Sequence, residues 1–205
     1  VSRLSDENVI VAKEIIARYP KSRSATIPLL HLAQQQHGHL TNEAIKHVAE
    51  LVGATSAEVL GTATFYEMFK FEPVGTYLIN ICGTMSCALM GSEDLMHHAE
   101  HTLGIKAGST TPDGLFTLEH AECQAACTEA PNVQVNYRHC HRMTPSAFDE
   151  LVDDLRNGRR TTEIPAHGTL ARVRQQIPAD KALGPVAVDA SGPPVWMPPP
   201  SEVPK

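Results

Sequence analysis

The sequence predicts an α+β fold: an N-terminal helical bundle, then a small α/β sandwich, then an extended proline-rich tail. Three observations carry this. Capped helical periodicities fill the first third, and short apolar runs separated by turn signals fill the middle. Nine of the chain's 15 prolines fall between Pro165 and Pro204.

From Ser5 to Tyr19 the residues Val9, Ala12, Ile15, Ile16 and Tyr19 recur at helical spacing, and Pro20 stops the pattern. A second helix is predicted over Thr26–His37, with Pro28 tolerated in its first turn and Gly38 just past its end. Thr41 caps a third, whose apolar face is Ala44, Ile45, Val48, Leu51 and Val52 and which Gly53 closes. Thr55-Ser-Ala-Glu58 reads as a capping box opening a fourth. After an apolar-aromatic stretch from Ala63 to Phe71, Tyr77–Cys82 reads as a buried strand. Residues 92–103 form a helix ended by Gly104. Pro112-Asp-Gly114 turns into a strand over Leu115–Leu118, and Val133–Tyr137 alternates as another. Thr144-Pro145 caps a last helix, stopped by Gly158. The expected units are 1–70 (helical), 71–158 (α/β) and 159–205 (tail). The tail builds no core and is read as a strap for subunit contacts, with Trp196 as an anchor.

A formal charge of −6 without a basic stripe argues against a nucleic-acid surface. No apolar run approaches the length of a membrane span, and the start lacks the apolar stretch of a secretion signal, so a soluble, intracellular chain is expected. Five cysteines are an odd number for a disulfide framework and suit a reducing compartment.

Two cysteine pairs stand out: Cys82-Gly-Thr-Met-Ser-Cys87 and Cys123-Gln-Ala-Ala-Cys127. Both follow strands of one sheet, so their loops can face one another, and four thiolates can ligate the two irons of a 2Fe-2S cluster. Small residues nearby, Gly83, Gly91, Ala125 and Ala126, leave room for backbone N–H groups to approach sulfur. A structural zinc site favours Cys-x2-Cys knuckles, as does thioredoxin-type redox chemistry. A Rieske site would need two histidine ligands; His139 and His141 flank Cys140, but four paired cysteines are at hand. Cys140 reads as a spare thiol. His97 and His101 read as a solvated helix face, and His37 and His39 as helix-end residues.

The ordered series Thr64-Phe65-Tyr66, Pro73-x-Gly75, Cys82-x4-Cys87 with Gly91, Thr111-x-Asp113-Gly114, Glu122-Cys123-x3-Cys127 and Ala130-Pro131 resembles a known family. It is that of the thioredoxin-like 2Fe-2S subunit (24 kDa-type, the E subunit in bacteria) of the NADH dehydrogenase module of respiratory complex I, the NADH:quinone oxidoreductase. The resemblance spans about residues 5 to 157. It implies a thioredoxin-like 2Fe-2S ferredoxin domain with the cluster on Cys82, Cys87, Cys123 and Cys127, and no catalytic residue of the chain's own. It implies electron exchange with FMN on a partner flavoprotein that also binds NADH, alongside other peripheral-arm iron-sulfur subunits. The location implied is the cytoplasmic side of the inner (plasma) membrane, in a membrane-attached complex. No Gly-x-Gly-x-x-Gly follows a strand here, in keeping with both partner cofactors lying elsewhere. The alternatives are a diaphorase subunit of an NAD-linked hydrogenase or formate dehydrogenase, and a zinc-stabilised interaction module. The family commonly has Leu-Gly-Ala where this chain has Gln124-Ala125-Ala126, a change expected to bear on backbone dihedrals and hydrogen bonding. Glu122 and Glu129 are expected to lower the cluster's potential.

Overall fold

The computed structural model describes residues 3–168. Most of the proline-rich segment, including Trp196, lies outside the described residues.

Helix α1 (Asp6–Ile16) starts at Ser5, whose Oγ accepts the Asn8 N–H at 3.2 Å, and acidic Asp6 and Glu7 face the positive end of the helix dipole. It stops short of the expected Tyr19. The residue before a proline is pushed out of helical conformation, and the chain tightens through Arg18 N–H to Ile15 O and Tyr19 N–H to Ile16 O instead. A 3-10 turn over Ser22–Ala25 leads into α2 (Thr26–His37), which Gly38 ends at φ 79°. Helices α3 (Asn42–Val52) and α4 (Ser56–Phe65) follow, each starting at a threonine cap. In the capping box Glu58 Oε2 accepts the Thr55 N–H at 2.9 Å while Thr55 Oγ1 accepts the Glu58 N–H at 3.3 Å. Thr55→Ala removes that second bond and is expected to cost about 0.5–2 kcal/mol in a urea titration. Leu29, Leu30, Ala33, Ala44, Val48 and Ala63 are fully buried where these helices meet.

The second half is a five-stranded sheet in the order β2-β3-β1-β4-β5. Its strands are β1 (Tyr77–Cys82), β2 (Ser109–Thr110), β3 (Phe116–Ala121), β4 (Val133–Val135) and β5 (Arg138–Cys140). Central β1 runs parallel to β3, from Tyr77 opposite Phe116 to Cys82 opposite Ala121, and antiparallel to β4. Past a short helix, α5 (Met85–Leu89), helices α6 (Ser92–Leu103) and α7 (Pro145–Arg156) contribute Leu95, Ala99, Phe148 and Leu151 to a core with Tyr77, Ile79, Ile81, Phe116, Leu118, Val133 and Val135. Strand alternation turns Asn80, Glu119 and Gln134 to the other face.

Further features differ from the sequence expectation, among them the unexpected short strands β2 and β5. The strand expected to run to Tyr137 ends at Val135. Asn136 and Tyr137 both take positive φ (47° and 64°), which matches the right-handed twist of the tight hairpin joining β4 to β5. Helix α5 carries Cys87, where no element was expected; one turn is too short to show periodicity. Finally, Ile164 is 1% exposed within the second core, although no core was expected past Arg159.

Residues 66–71 join the two halves. Gln34 Nε2 donates to Met68 O at 2.8 Å, Tyr137 OH donates to the same carbonyl at 3.2 Å, and Lys70 pairs with Glu119 at 2.7 Å. Gly75 packs so closely on β3 that a Cβ would lie 2.8 Å from the Phe116 carbonyl carbon. That obstacle is backbone, so Gly75→Ala is expected to destabilise by about 1–3 kcal/mol, read as a fall in the urea midpoint. At the end of the described chain the His167 N–H donates to Thr76 O at 2.9 Å. Burial, then the positive charge of Lys70, holds the His167 imidazole down at about 4. The unfolded chain therefore binds this proton first as pH falls from about 6.5, and folding loses stability between there and pH 4. His167→Asn is expected to flatten the pH dependence of the urea midpoint across that window.

Candidate metal centre

Because β1 and β3 are parallel neighbours ending in register at Cys82 and Ala121, the segments carrying the two cysteine pairs leave the same end of the sheet. Cys82 closes β1 at 4% exposure, and Cys87, held in α5 by its N–H to Thr84 O at 2.8 Å, is 3% exposed. Cys123 and Cys127 are exposed, and all five thiols are free. Burial pushes the Cys82 thiol up, but bonds from the Thr84 hydroxyl and N–H, the Gln124 N–H and Cys87 outweigh it, leaving it below its ordinary value. At Cys87 burial prevails: the Asn132 N–H opposes it, while Cys82 and Cys127 add to the rise. Three of the four sulfurs are thus near enough to influence one another. Cys123 Sγ accepts the Ala125 N–H at 3.5 Å inside its own loop. Among the described residues no three His, Cys, Asp or Glu side chains converge as they would round a single metal ion.

The residues present fit an iron-sulfur cluster by donor chemistry. Four free thiols lie on two adjoining segments, and a backbone N–H, that of Ala125, already bonds the Cys123 sulfur at 3.5 Å. Asn132, fully buried, has an unpartnered Oδ1. Gly83 matters for a different reason than expected. A Cβ there would overlap the imidazole of His120, so the room is taken by a side chain. Gly91 instead supplies a left-handed backbone, φ 92°, ahead of α6. At Ala125, the place where the family commonly has glycine, φ is 55°. An L side chain is disfavoured in that region by about 1–2 kcal/mol, so Ala125→Gly is expected to slow thermal loss of loop structure. A matched pair of unfolding curves for the metal-free proteins checks it.

A polar chain ties the second cysteine loop to the sheet. Gln124 Nε2 donates to Asn80 O at 2.9 Å, and Gln124 Oε1 accepts from Asn132 Nδ2. Asn132 Nδ2 also lies 3.0 Å from His139 Nδ1, and His139 Nε2 lies 3.0 Å from Gln134 Nε2. His139 stacks on His141, with ring centroids 5.5 Å apart. Beside this chain a cavity of ≈ 500 Å³ is lined by Lys70, Asn80, Glu119, Cys123, Gln134 and Tyr137, among others. Glu129 pairs with Arg142 at 2.8 Å, which offsets the negative charge expected from it, and Glu122 remains. Cys140 lies on β5 against the second core, its thiol pushed up chiefly by burial. Glu100, beside His97 and His101 on α6, is bound to Lys106 at 2.6 Å, in keeping with a surface face. Sequence reasoning missed His120 and Asn132, which no motif marks. It noticed Gln124 only as a departure.

An open sheet with two thiol-bearing segments at the end of adjacent parallel strands defines a class. The family model that matches residues 12–156 describes the thioredoxin-like [2Fe-2S] ferredoxins, and the chain belongs to that family, whose members are defined by a 2Fe-2S cluster. Among individual relatives, the E-type subunit of NADH-quinone oxidoreductase from Mycobacterium tuberculosis is 43% identical over 157 residues, 77% of this chain and 62% of the relative. This chain therefore spans under two thirds of that relative's length. The NADH-quinone oxidoreductase subunit 2 of Thermus thermophilus is 40% identical over 168 residues, 80% of this chain and 92% of the relative. Among solved structures, a chain of an NAD+-reducing [NiFe]-hydrogenase in the air-oxidised state superposes with a TM-score of 0.57 at 21% identity, covering 82% of this chain and 27% of its own length. That likeness is one of fold. Among the described residues no helix is long and apolar enough to cross a membrane.

Proposed function

We propose that this chain is the E-type electron carrier of an NADH:quinone oxidoreductase. In this reading it holds one 2Fe-2S cluster on Cys82, Cys87, Cys123 and Cys127. The carrying observation is the placement of four free thiols in two segments leaving the same end of adjacent parallel strands, within a domain of this family. Relatives named as NADH-quinone oxidoreductase subunits, at 40% and 43% identity, support the particular complex.

When bound, the cluster supplies reversible storage of one electron. The chain's residues do the rest. The sheet fixes Cys82, α5 holds Cys87 through its N–H to Thr84 O, and the Ala125 N–H bonds the Cys123 sulfur. An N–H bonded to a ligand sulfur favours the more negative, reduced form. The exposed pair, Cys123 and Cys127, leaves one side of the centre open to a partner. That partner is the flavoprotein carrying FMN and the NADH site, and other peripheral-arm iron-sulfur subunits complete the assembly on the cytoplasmic face of the membrane.

Iron and acid-labile sulfide assays with EPR of the reduced protein, followed by identification of co-purifying chains, test this. About two irons and two sulfides per chain, with a flavoprotein and membrane subunits alongside, are expected. A nickel-iron or molybdenum subunit in their place would move the chain to a hydrogenase or formate dehydrogenase. A colourless protein holding only zinc would leave an interaction module.

A further inference from the structure

The cavity of ≈ 500 Å³ on the polar face of the sheet adjoins the metal centre without being it, since Cys123 alone of the four proposed ligands lines it. Most of its polar lining is already engaged. Lys70 Nζ bonds both carboxylate oxygens of Glu119, at 2.9 and 2.7 Å, and Tyr137 OH donates to Met68 O at 3.2 Å. Three lining side chains are left over. The carboxamide of Asn80, on central β1 and 9% exposed, makes no hydrogen bond among the described residues. The carboxylates of Glu67 and Glu122 have no cationic partner there either. With the lining ammonium committed to Glu119, the cavity presents two uncompensated negative charges and a buried, unpartnered amide. A buried polar group without a partner is costly, and a cavity of this size is in the range of ligand sites. Both point to an occupant that brings positive charge and hydrogen-bond donors.

We propose that this cavity receives an arginine side chain of the flavoprotein partner, whose guanidinium donates to the carboxylates of Glu67 and Glu122 and to Asn80 Oδ1. The proposal rests on the E-type reading given above. Charge complementarity selects a cation, and the acceptor set selects among cations. A guanidinium presents a planar fork of five donors that suits carboxylates and an amide oxygen together, whereas a lysine ammonium is a point charge. Position selects a protein partner. The cavity borders exposed Cys123, on the side of the centre left open to a partner. Phe65 and Tyr66, which precede Glu67, are 78% and 39% exposed and meet edge to face at 5.0 Å. Exposed aromatic residues beside a pocket for arginine are what the core of a protein interface is enriched in.

The test titrates the cluster-loaded chain with the flavoprotein subunit of the same complex by calorimetry, comparing the wild type with Glu67→Gln/Glu122→Gln and with Asn80→Leu. The doubly neutralised protein is expected to bind about thirtyfold more weakly, since it leaves a desolvated guanidinium without its anions. Asn80→Leu is expected to bind about tenfold more weakly. Its own urea midpoint should hold or rise, because an unpartnered buried amide gives way to an apolar side chain of similar size. A merely structural Asn80 would instead lose stability and affinity together. Glu14→Gln/Glu150→Gln removes the same formal charge from exposed positions on α1 and α7 and should stay within about twofold of wild type, as screening of distant surface charges requires. Wild-type affinity in the doubly neutralised protein would leave the cavity to solvent or a small cation and overturn the proposal. So would an equal loss in the Glu14→Gln/Glu150→Gln control, which would reduce the effect to net charge. A wild-type chain that does not bind the flavoprotein at all would overturn the E-type reading itself.

Discussion

Cys87→Ser is expected to strip the protein of its cluster, giving a colourless chain with little iron or acid-labile sulfide where the wild type holds about two of each. The reason lies in charge and softness. Each iron takes two thiolates, and a serine hydroxyl at neutral pH offers neither the negative charge nor the polarisable sulfur that iron-sulfide cores favour. The site cannot recruit a replacement, because the remaining thiol, Cys140, sits on β5 against the second core, with its thiol pushed up chiefly by burial. Cys140→Ser is accordingly expected to keep full iron and sulfide. Serine and cysteine are nearly isosteric, so the secondary structure of metal-free Cys87→Ser should match that of metal-free wild type by circular dichroism, which separates lost ligation from lost folding. Full cluster content in Cys87→Ser, or loss in Cys140→Ser, would rewrite the ligand set.

The largest purely structural effect is expected at Phe116. Its ring is fully buried on β3, tilted against Tyr77 with centroids 5.9 Å apart, and the Arg156 guanidinium lies 5.6 Å above it. Phe116→Ala removes the ring and leaves a hole that sheet and helices cannot close, at a cost of about 3–5 kcal/mol. A domain of this size is stable by about 5–15 kcal/mol, so the urea midpoint should fall by a large fraction of its value. The damage should reach the metal centre too, since β3 delivers the chain to Cys123. A stability within about 1 kcal/mol of wild type would mean the second core repacks far more freely than a close-packed interior allows.

The four helices of the first half were legible because each is bounded by local chemistry. Ser5, Thr41 and Thr55 accept N–H groups of their own first turns, and Gly38 and Gly53 adopt the left-handed close. Where local rules were thin, elements went unseen. β2 is two residues long and exposed, and α5 is a single turn. The hairpin at Asn136-Tyr137 lacks the Asn-Gly that would have announced it. Asn136 is held there by distant groups, accepting the Leu78 N–H at 2.8 Å and donating to Thr76 O and Pro165 O, each at 2.9 Å.

The same division runs through the metal centre. Cysteine spacing and the ordered motif series are covalent facts that no packing can alter, so four candidate donors could be named from the linear chain. The succession of helices before sheet could be read there too, because caps and periodicities act within a few residues. What surrounds the sulfurs had to wait for the packed fold, which tied Gln124 to Asn80 and Asn132, filled the notch of Gly83 with His120, and offset Glu129 with Arg142. Those neighbours are set by the parallel register of β1 with β3 and by the path of the chain through β4 and β5. Hydrogen bonds act through space at about 3 Å, and sequence separation says nothing of such distances until the sheet has closed.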